Sequence, residues 1–151
     1  MEHVFDLKTV LLAKHAQHIV MIHFPIALFF VSGVFDVMAH RNNNESLRSA
    51  GYFNLVAASI SSVMAVATGV IAWQIMYDGK SPKGIILFHL IGAATTFILL
   101  WTLVFIRHRE REQLRPALSR TYILLAVITC IVIMTTAHLG GVLSGVVTIA
   151  E

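Results

Sequence analysis

The sequence predicts an all-α integral membrane protein, a bundle of four transmembrane helices that run alternately up and down. The first observation is composition: 57% of the 151 residues are hydrophobic and 13% are charged, whereas soluble domains carry about 25% charged residues. The second is that residues 49–77, 84–106 and 121–150 contain no Asp, Glu, Lys or Arg, and residues 15–40 contain only Asp36. The third is length, because each segment exceeds the roughly 20 residues that a helix needs to cross the hydrocarbon core.

Polar loops separate the four helices within a single transmembrane domain that spans residues 1–151. The first predicted helix covers residues 19–39 and ends at the turn-forming stretch HRNNNES. The second covers residues 52–77 and precedes the loop DGKSPKG, and the third covers residues 85–106 before the charged stretch RHREREQLRP. The fourth covers residues 121–147. The amino terminus lacks the pattern of a cleaved signal peptide, because acidic residues precede a long apolar segment without a small-residue cleavage site.

Basic residues are distributed unevenly over the two ends of the predicted bundle. Seven lie in the loops after the first and third helices, and four lie at the amino terminus and in the loop after the second helix. Loops rich in Lys and Arg stay on the cytoplasmic side. We therefore expect a multi-pass protein of the bacterial inner (cytoplasmic) membrane with both termini on the outer, periplasmic side. The net charge of +3 follows from this distribution and requires no nucleic-acid partner.

Histidines cluster at the predicted outer end of the bundle. Counted at about 1.5 Å per residue from the predicted helix ends, His23, His89 and His138 fall in one outer-leaflet layer on three different helices. His15 and His18 lie just above this layer and share a helical face, since they are three positions apart. Ionisable residues inside membrane spans are rare and by default indicate a functional site. The structural alternative is a neutral histidine that is hydrogen-bonded to a neighbouring helix.

Bis-histidine ligation of haem b fits this histidine layer well. Imidazole is a common metal ligand, and bis-histidine ligation needs two histidines on different helices with small residues beside the flat ring. Glycines and alanines follow two of the histidines closely, in HLIGAA and HLGG. The expected ligands of the haem iron are two among His23, His89 and His138, with His18 in reserve, and a second haem would need His15 or His18. Three or four imidazoles could instead bind Zn or Cu directly.

These residues predict a small b-type cytochrome, either an electron-transfer protein or a membrane subunit of a redox complex. It would lie in the lipid bilayer and exchange electrons with other subunits, with a periplasmic donor or acceptor, or with quinol. The alternatives are a membrane protein that delivers or senses Cu or Zn, and a cofactor-free scaffold subunit of a membrane complex. A self-contained enzyme is not indicated, because the sequence has no nucleophile–base pair and no nucleotide-binding loop.

Two further residues of the first predicted helix have expected local roles. Pro25 lacks an N–H group, so the helix is expected to bend or restart nearby and to aim His23 into the bundle. Asp36 lies near the inner end of the same helix. We expect it to be a salt-bridged or hydrogen-bonded acid. Its candidate partners are the nearby Arg41 and Arg48, and Asn54 of the second helix.

The stretch HIVMIHFPIALFFVSGVFDVMA resembles a family of bacterial integral membrane proteins, domain of unknown function 2231. The shared pattern is a His, four residues, then HFPIAL and an apolar run that ends in an acid. It maps onto His18, His23, Phe24, Pro25 and Asp36. The resemblance continues over nearly the whole chain, with a glycine in the second helix, a histidine opening the third and the closing stretch AHLGGVLSG. It departs at the end, where VLSGVVTIAE replaces the polar or aromatic residues expected after Gly-Gly. The resemblance implies a four-helix membrane protein, in some cases suspected of carrying haem, but implies no established activity.

Overall fold

Four long helices make up the fold in the computed structural model, which describes residues 14–112 and 118–146. They are α1 (Lys14–Asn42), α2 (Glu45–Met76), α3 (Ile85–Glu112) and α4 (Arg120–Leu143). The described residues contain no β-strand. All four helices are long and apolar enough to cross a membrane. The predicted all-α fold with four candidate membrane spans is therefore confirmed.

The helix ends differ from the boundaries predicted from hydropathy. Helices α1 and α2 begin earlier than predicted and α3 ends later, whereas α4 ends earlier. Hydropathy marks the part of a helix that lipid covers, but capping side chains decide where the helix begins. The Asn44 Oδ1 atom accepts a hydrogen bond from Leu47 N at 3.1 Å, and the Ser119 Oγ atom accepts one from Tyr122 N at 3.1 Å. Helix α1 also continues through Pro25 instead of restarting there.

The helices pack as two hairpins. The most extensive contacts join α1 to α2 and α3 to α4, and fewer contacts join α2 to α3. Because short connections make sequential helices antiparallel, α1 and α3 run in the same direction. The core between the hairpins consists of apolar side chains from all four helices: Phe29, Leu55, Ala58, Leu100, Leu103, Tyr122 and Ile133.

Large apolar side chains also cover the outside of the bundle. Phe53, Ile98 and Leu124 are 64%, 63% and 62% exposed, and they represent many others on every helix. A soluble monomer rarely exposes contiguous apolar patches of more than a few hundred Å². An outer surface of this kind is suited to contact with lipid.

A buried ion pair joins α1 to α3 near one end of the bundle. The Arg107 Nη2 atom lies 2.5 Å from Asp36 Oδ1, and the two side chains are 3% and 7% exposed. The Tyr122 hydroxyl of α4 donates a hydrogen bond to the second carboxylate oxygen, Asp36 Oδ2, at 3.0 Å. Gly51 of α2 lies against the same carboxylate, since a Cβ atom there would come within 2.6 Å of Asp36 Oδ1. We call these four residues the ion-pair layer.

The expectation that Asp36 is salt-bridged is confirmed, but its partner lies outside the predicted set. Asn54, one expected partner, instead donates from Nδ2 to the carbonyl oxygen of Ala50 in its own helix, at 2.8 Å. Arg107 was assigned to the loop after the third predicted helix. Because α3 continues to Glu112, Arg107 lies inside the helix and reaches the carboxylate.

Substitution of Asp36 by Asn should lower the free energy of unfolding by about 3–5 kcal/mol, because it leaves the buried Arg107 guanidinium without its counterion. Thermal or denaturant unfolding in a mild detergent measures this change. The matched control is Glu45→Gln, since Glu45 is 73% exposed and its carboxylate lies 3.4 Å from Arg48 Nε. Its expected effect is at most about 1 kcal/mol. Equal effects of the two substitutions would contradict a stabilising role for the buried pair.

Candidate functional site

Two histidine side chains meet at the opposite end of the same two helices. The ring of His18 on α1 lies beside the ring of His89 on α3, with centroids 6.4 Å apart and ring planes at 84°. His18 is the fifth residue of α1 and His89 is the fifth residue of α3. The two helices run in the same direction, and His18 and His89 are equally far from the first residues of their helices. The two rings therefore lie at the same level along the bundle.

The hydrogen bond of His89 indicates which ring nitrogen carries the hydrogen in the neutral form. Its Nδ1 atom lies 3.0 Å from the backbone carbonyl oxygen of Thr136 on α4. A carbonyl oxygen can only accept, so Nδ1 carries the hydrogen and donates it. In the neutral imidazole, the other ring nitrogen, Nε2, then keeps its lone pair and is available as a metal ligand.

His18 is held in the same form by Thr68 of α2. Its Nδ1 atom lies 3.3 Å from Thr68 Oγ1. The single hydroxyl hydrogen of Thr68 is already directed to backbone carbonyl oxygens of its own helix, at 2.9 Å for Met64 and 3.0 Å for Ala65. Thr68 Oγ1 therefore accepts the hydrogen of His18 Nδ1. The His18 ring, like the His89 ring, leaves Nε2 with a free lone pair.

Glycines let two neighbouring helices approach the imidazole rings. A Cβ atom at Gly69 of α2 would lie 2.9 Å from His18 Cε1, and one at Gly140 of α4 would lie 3.1 Å from His89 Cε1. Any larger residue would displace the rings. We call His18, Gly69, His89 and Gly140 the histidine layer, which takes one residue from each helix.

Two buried polar atoms near this layer have no hydrogen-bond partner within the described part of the chain. They are Trp73 Nε1 and Thr96 Oγ1. Trp73 lies one turn beyond Gly69 on the same face of α2, and Thr96 lies two turns from His89 on α3. A buried N–H donor without a partner is costly and uncommon. The Trp73 N–H group is therefore a buried donor without a partner at this end of the bundle.

The other predicted ligands point elsewhere. His23 is exposed, and its Nδ1 atom lies 2.6 Å from the carbonyl oxygen of Ile19 in its own helix. It is five positions from His18, which corresponds to about 140° around the helix, so the two rings cannot share a face. His138 is also exposed, and it is two positions from Gly140, about 200° around α4. The side chain of His15 lies outside the described residues.

The structure therefore brings His89 together with His18, which the sequence analysis expected only as a reserve ligand. Thr68, Thr136 and Trp73 were not identified from the sequence. The signal for Thr68 was present, because Thr68 is adjacent to Gly69 within the run of small residues in α2. No sequence signal identifies the carbonyl oxygen of Thr136, since every residue has such an atom.

The described residues contain no group of three or more His, Cys, Asp or Glu side chains that could hold a metal ion. The histidine layer offers two ligands. Its chemistry is therefore that of a two-imidazole site, in which both Nδ1 atoms are hydrogen-bonded and both Nε2 atoms remain available.

Comparison with known proteins agrees with the fold. The family model described as "Predicted membrane protein (DUF2231)" matches residues 14–150, which include all four helices. No curated protein and no solved structure matches the chain. Since the family model covers most of the 151 residues, the chain belongs to the DUF2231 family of predicted membrane proteins.

Proposed function

We propose that the protein is a small membrane b-type cytochrome, in which His18 and His89 bind one haem between α1 and α3. The observation that carries this proposal is the pairing of the two imidazole rings from different helices, each hydrogen-bonded through Nδ1. The proposal keeps the predicted function but makes His18, which was expected only as a reserve ligand, the partner of His89.

The separation of the two rings suits a shared metal ion. Metal–nitrogen bonds of about 2.0–2.1 Å on opposite sides of one ion bring the centres of the two imidazole rings to roughly 6 Å apart. The His18 and His89 centroids are 6.4 Å apart. Binding would therefore require the rings to turn their Nε2 atoms toward each other, with little change in their separation.

The hydrogen bonds also suit ligation. Histidines that bind metals almost always donate their other ring N–H to a carbonyl, a carboxylate or water, which fixes the tautomer and orients the ring. Thr136 and Thr68 provide these acceptors for His89 and His18. Trp73 Nε1 supplies a further buried donor, which would suit an anionic or carbonyl group of the bound cofactor.

The number of protein ligands favours haem over a bare metal ion. Zinc sites use four protein ligands when structural and three when catalytic. The described residues offer the pair His18 and His89 and no group of three. Haem iron needs only two axial ligands, because the macrocycle supplies the other four nitrogen atoms. When bound, haem transfers one electron at a potential set by the axial ligands, burial and hydrogen bonds.

The residues of the site would hold the cofactor and tune it. His18 and His89 would bind the iron, Gly69 and Gly140 allow α2 and α4 to pack against the two rings, and apolar side chains of the helices would exclude water. Redox partners would be other subunits of a membrane complex, an external donor or acceptor, or quinol. With two histidine ligands, haem would supply one-electron transfer at this site.

The first test is the optical spectrum of protein purified from cells supplied with haem. We expect reduced-minus-oxidised bands of b-type haem, and we expect His18→Ala and His89→Ala to lower the haem content at least about tenfold. The matched controls are His23→Ala and His138→Ala, which should retain the wild-type haem content because both side chains are exposed. His89→Met should restore some haem at a raised potential, since methionine ligation raises the potential of haem iron.

Three outcomes would contradict this proposal. Colourless wild-type protein, together with a lowered unfolding temperature in His18→Ala and His89→Ala, would favour the cofactor-free scaffold, in which the two histidines are only hydrogen-bonded to neighbouring helices. Bound Cu or Zn without porphyrin, measured by elemental analysis, would favour the metal-delivery alternative. Loss of haem in the control variants instead of in His18→Ala and His89→Ala would assign the ligands to His23 and His138, two of the three histidines first expected.

The site would face the periplasm of a bacterial inner membrane, if the orientation follows the distribution of basic residues. Single cysteines at Lys80 and Asn43, in the loops at opposite ends of the bundle, test this in intact cells when the native Cys130 is replaced by Ala in both variants. A membrane-impermeant thiol reagent should label Lys80→Cys and leave Asn43→Cys unlabelled. The reverse labelling would place the histidine layer on the cytoplasmic side.

A further inference from the structure

A pocket opens at the end of the bundle that carries the ion-pair layer. It has a volume of about 270 Å³ and is lined by residues from all four helices or their ends. Arg41 of α1, Arg48 of α2 and Arg107 of α3 line it, together with Leu118 and Ile123 at the start of α4, and most of its surface is apolar. The proposed haem site lies at the other end of the helices and does not involve this pocket.

The pocket holds more positive than negative charge. Three arginines line it together with one carboxylate, that of Asp36. Arg48 pairs with Glu45, which is 73% exposed, and Arg41 is itself exposed. Because Glu45 is exposed to solvent, it neutralises the charge of Arg48 only weakly. An anion that enters the pocket would therefore meet positive charge that is not fully compensated.

Arg107 contributes a buried positive charge beside this pocket. Its Nη2 atom donates to Asp36 Oδ1 and, at 3.4 Å, to the backbone carbonyl oxygen of Arg48. Its Nε atom is buried and has no hydrogen-bond partner among the described residues. Since the side chain is only 3% exposed, Arg107 acts on a molecule in the pocket through its charge, and Arg41 and Arg48 are the arginines that can donate hydrogen bonds to it.

The depth of the pocket in the membrane indicates which kind of hydrogen-bond acceptor can bind there. Asp36 is 18 residues from His18 along α1, or about 27 Å at the rise of an α-helix. That distance is close to the thickness of the hydrocarbon core, about 30 Å. The ion-pair layer and its pocket therefore lie near the level of the lipid headgroups when the histidine layer lies at the opposite boundary.

We infer that this pocket binds the phosphate group of an anionic phospholipid, with Arg41, Arg48 and Arg107 around the phosphate and the first acyl carbons against Leu118 and Ile123. Phosphate oxygens are good acceptors for guanidinium donors. Basic pockets between transmembrane helices are known to hold anionic lipid headgroups. The largely apolar surface of the pocket distinguishes this site from one built for a free ion.

Thermal unfolding of the purified protein in a neutral detergent tests the inference. Added phosphatidylglycerol should raise the unfolding temperature at concentrations where phosphatidylcholine does not. In Arg41→Gln and Arg48→Gln, about tenfold more phosphatidylglycerol should be needed for the same shift, as the loss of one charge-assisted hydrogen bond implies. Arg107 is left unchanged in this test because its substitution would also break the ion pair.

The matched control is Arg109→Gln, which removes a cation at the same end of α3. Arg109 lies over the ring of Phe105, 5.3 Å from its centroid, and does not line the pocket. It should leave the phosphatidylglycerol response unchanged. Equal responses to both lipids, an equal loss in Arg109→Gln, or full reproduction of the shift by inorganic phosphate alone would each overturn the inference. Haem binding does not enter any of these readouts.

Discussion

The buried ion pair between Asp36 and Arg107 determines how the first hairpin of the bundle lies against the second. A buried ionised side chain is costly unless it is paired, so α1 and α3 must meet where these two residues lie. Tyr122 donates a hydrogen bond to the second oxygen of the Asp36 carboxylate, so α4 also contacts the ion pair. The close approach of Gly51 brings in α2. Four helices are thereby held in one register by a single carboxylate.

The same alignment of the helices holds at the other end of the bundle, because each residue of the ion-pair layer is 18 positions from a residue of the histidine layer. His18 and Asp36 are 18 positions apart, and so are His89 and Arg107. Eighteen residues make five turns of an α-helix, so both members of each pair lie on one face. The two other helices repeat the spacing, with Gly51 and Gly69 in α2 and with Tyr122 and Gly140 in α4. The ion pair therefore aligns the two histidines as well.

The number, type and approximate extent of the helices could be predicted from the sequence, because lipid exposure imposes long segments free of charge. The site could be predicted only in part. Counting depth from the hydropathy boundary placed His23 level with His89, whereas α1 begins at Lys14 and brings His18 to that level. The depth of a residue in the membrane also does not tell to which side of the helix its side chain points. The partner of Asp36 was missed for a related reason, since Arg107 was assigned to a loop.

The central proposal is that His18 and His89, whose ring centroids lie 6.4 Å apart, would together hold one haem iron. Low-temperature electron paramagnetic resonance of the oxidised protein tests it most directly, because the signal of low-spin ferric haem depends on both of its imidazole ligands. We expect such a signal in wild-type protein supplied with haem, and we expect its loss in His18→Ala and in His89→Ala. A haem signal that persists in either variant, or no haem signal in wild-type protein supplied with haem, would contradict it.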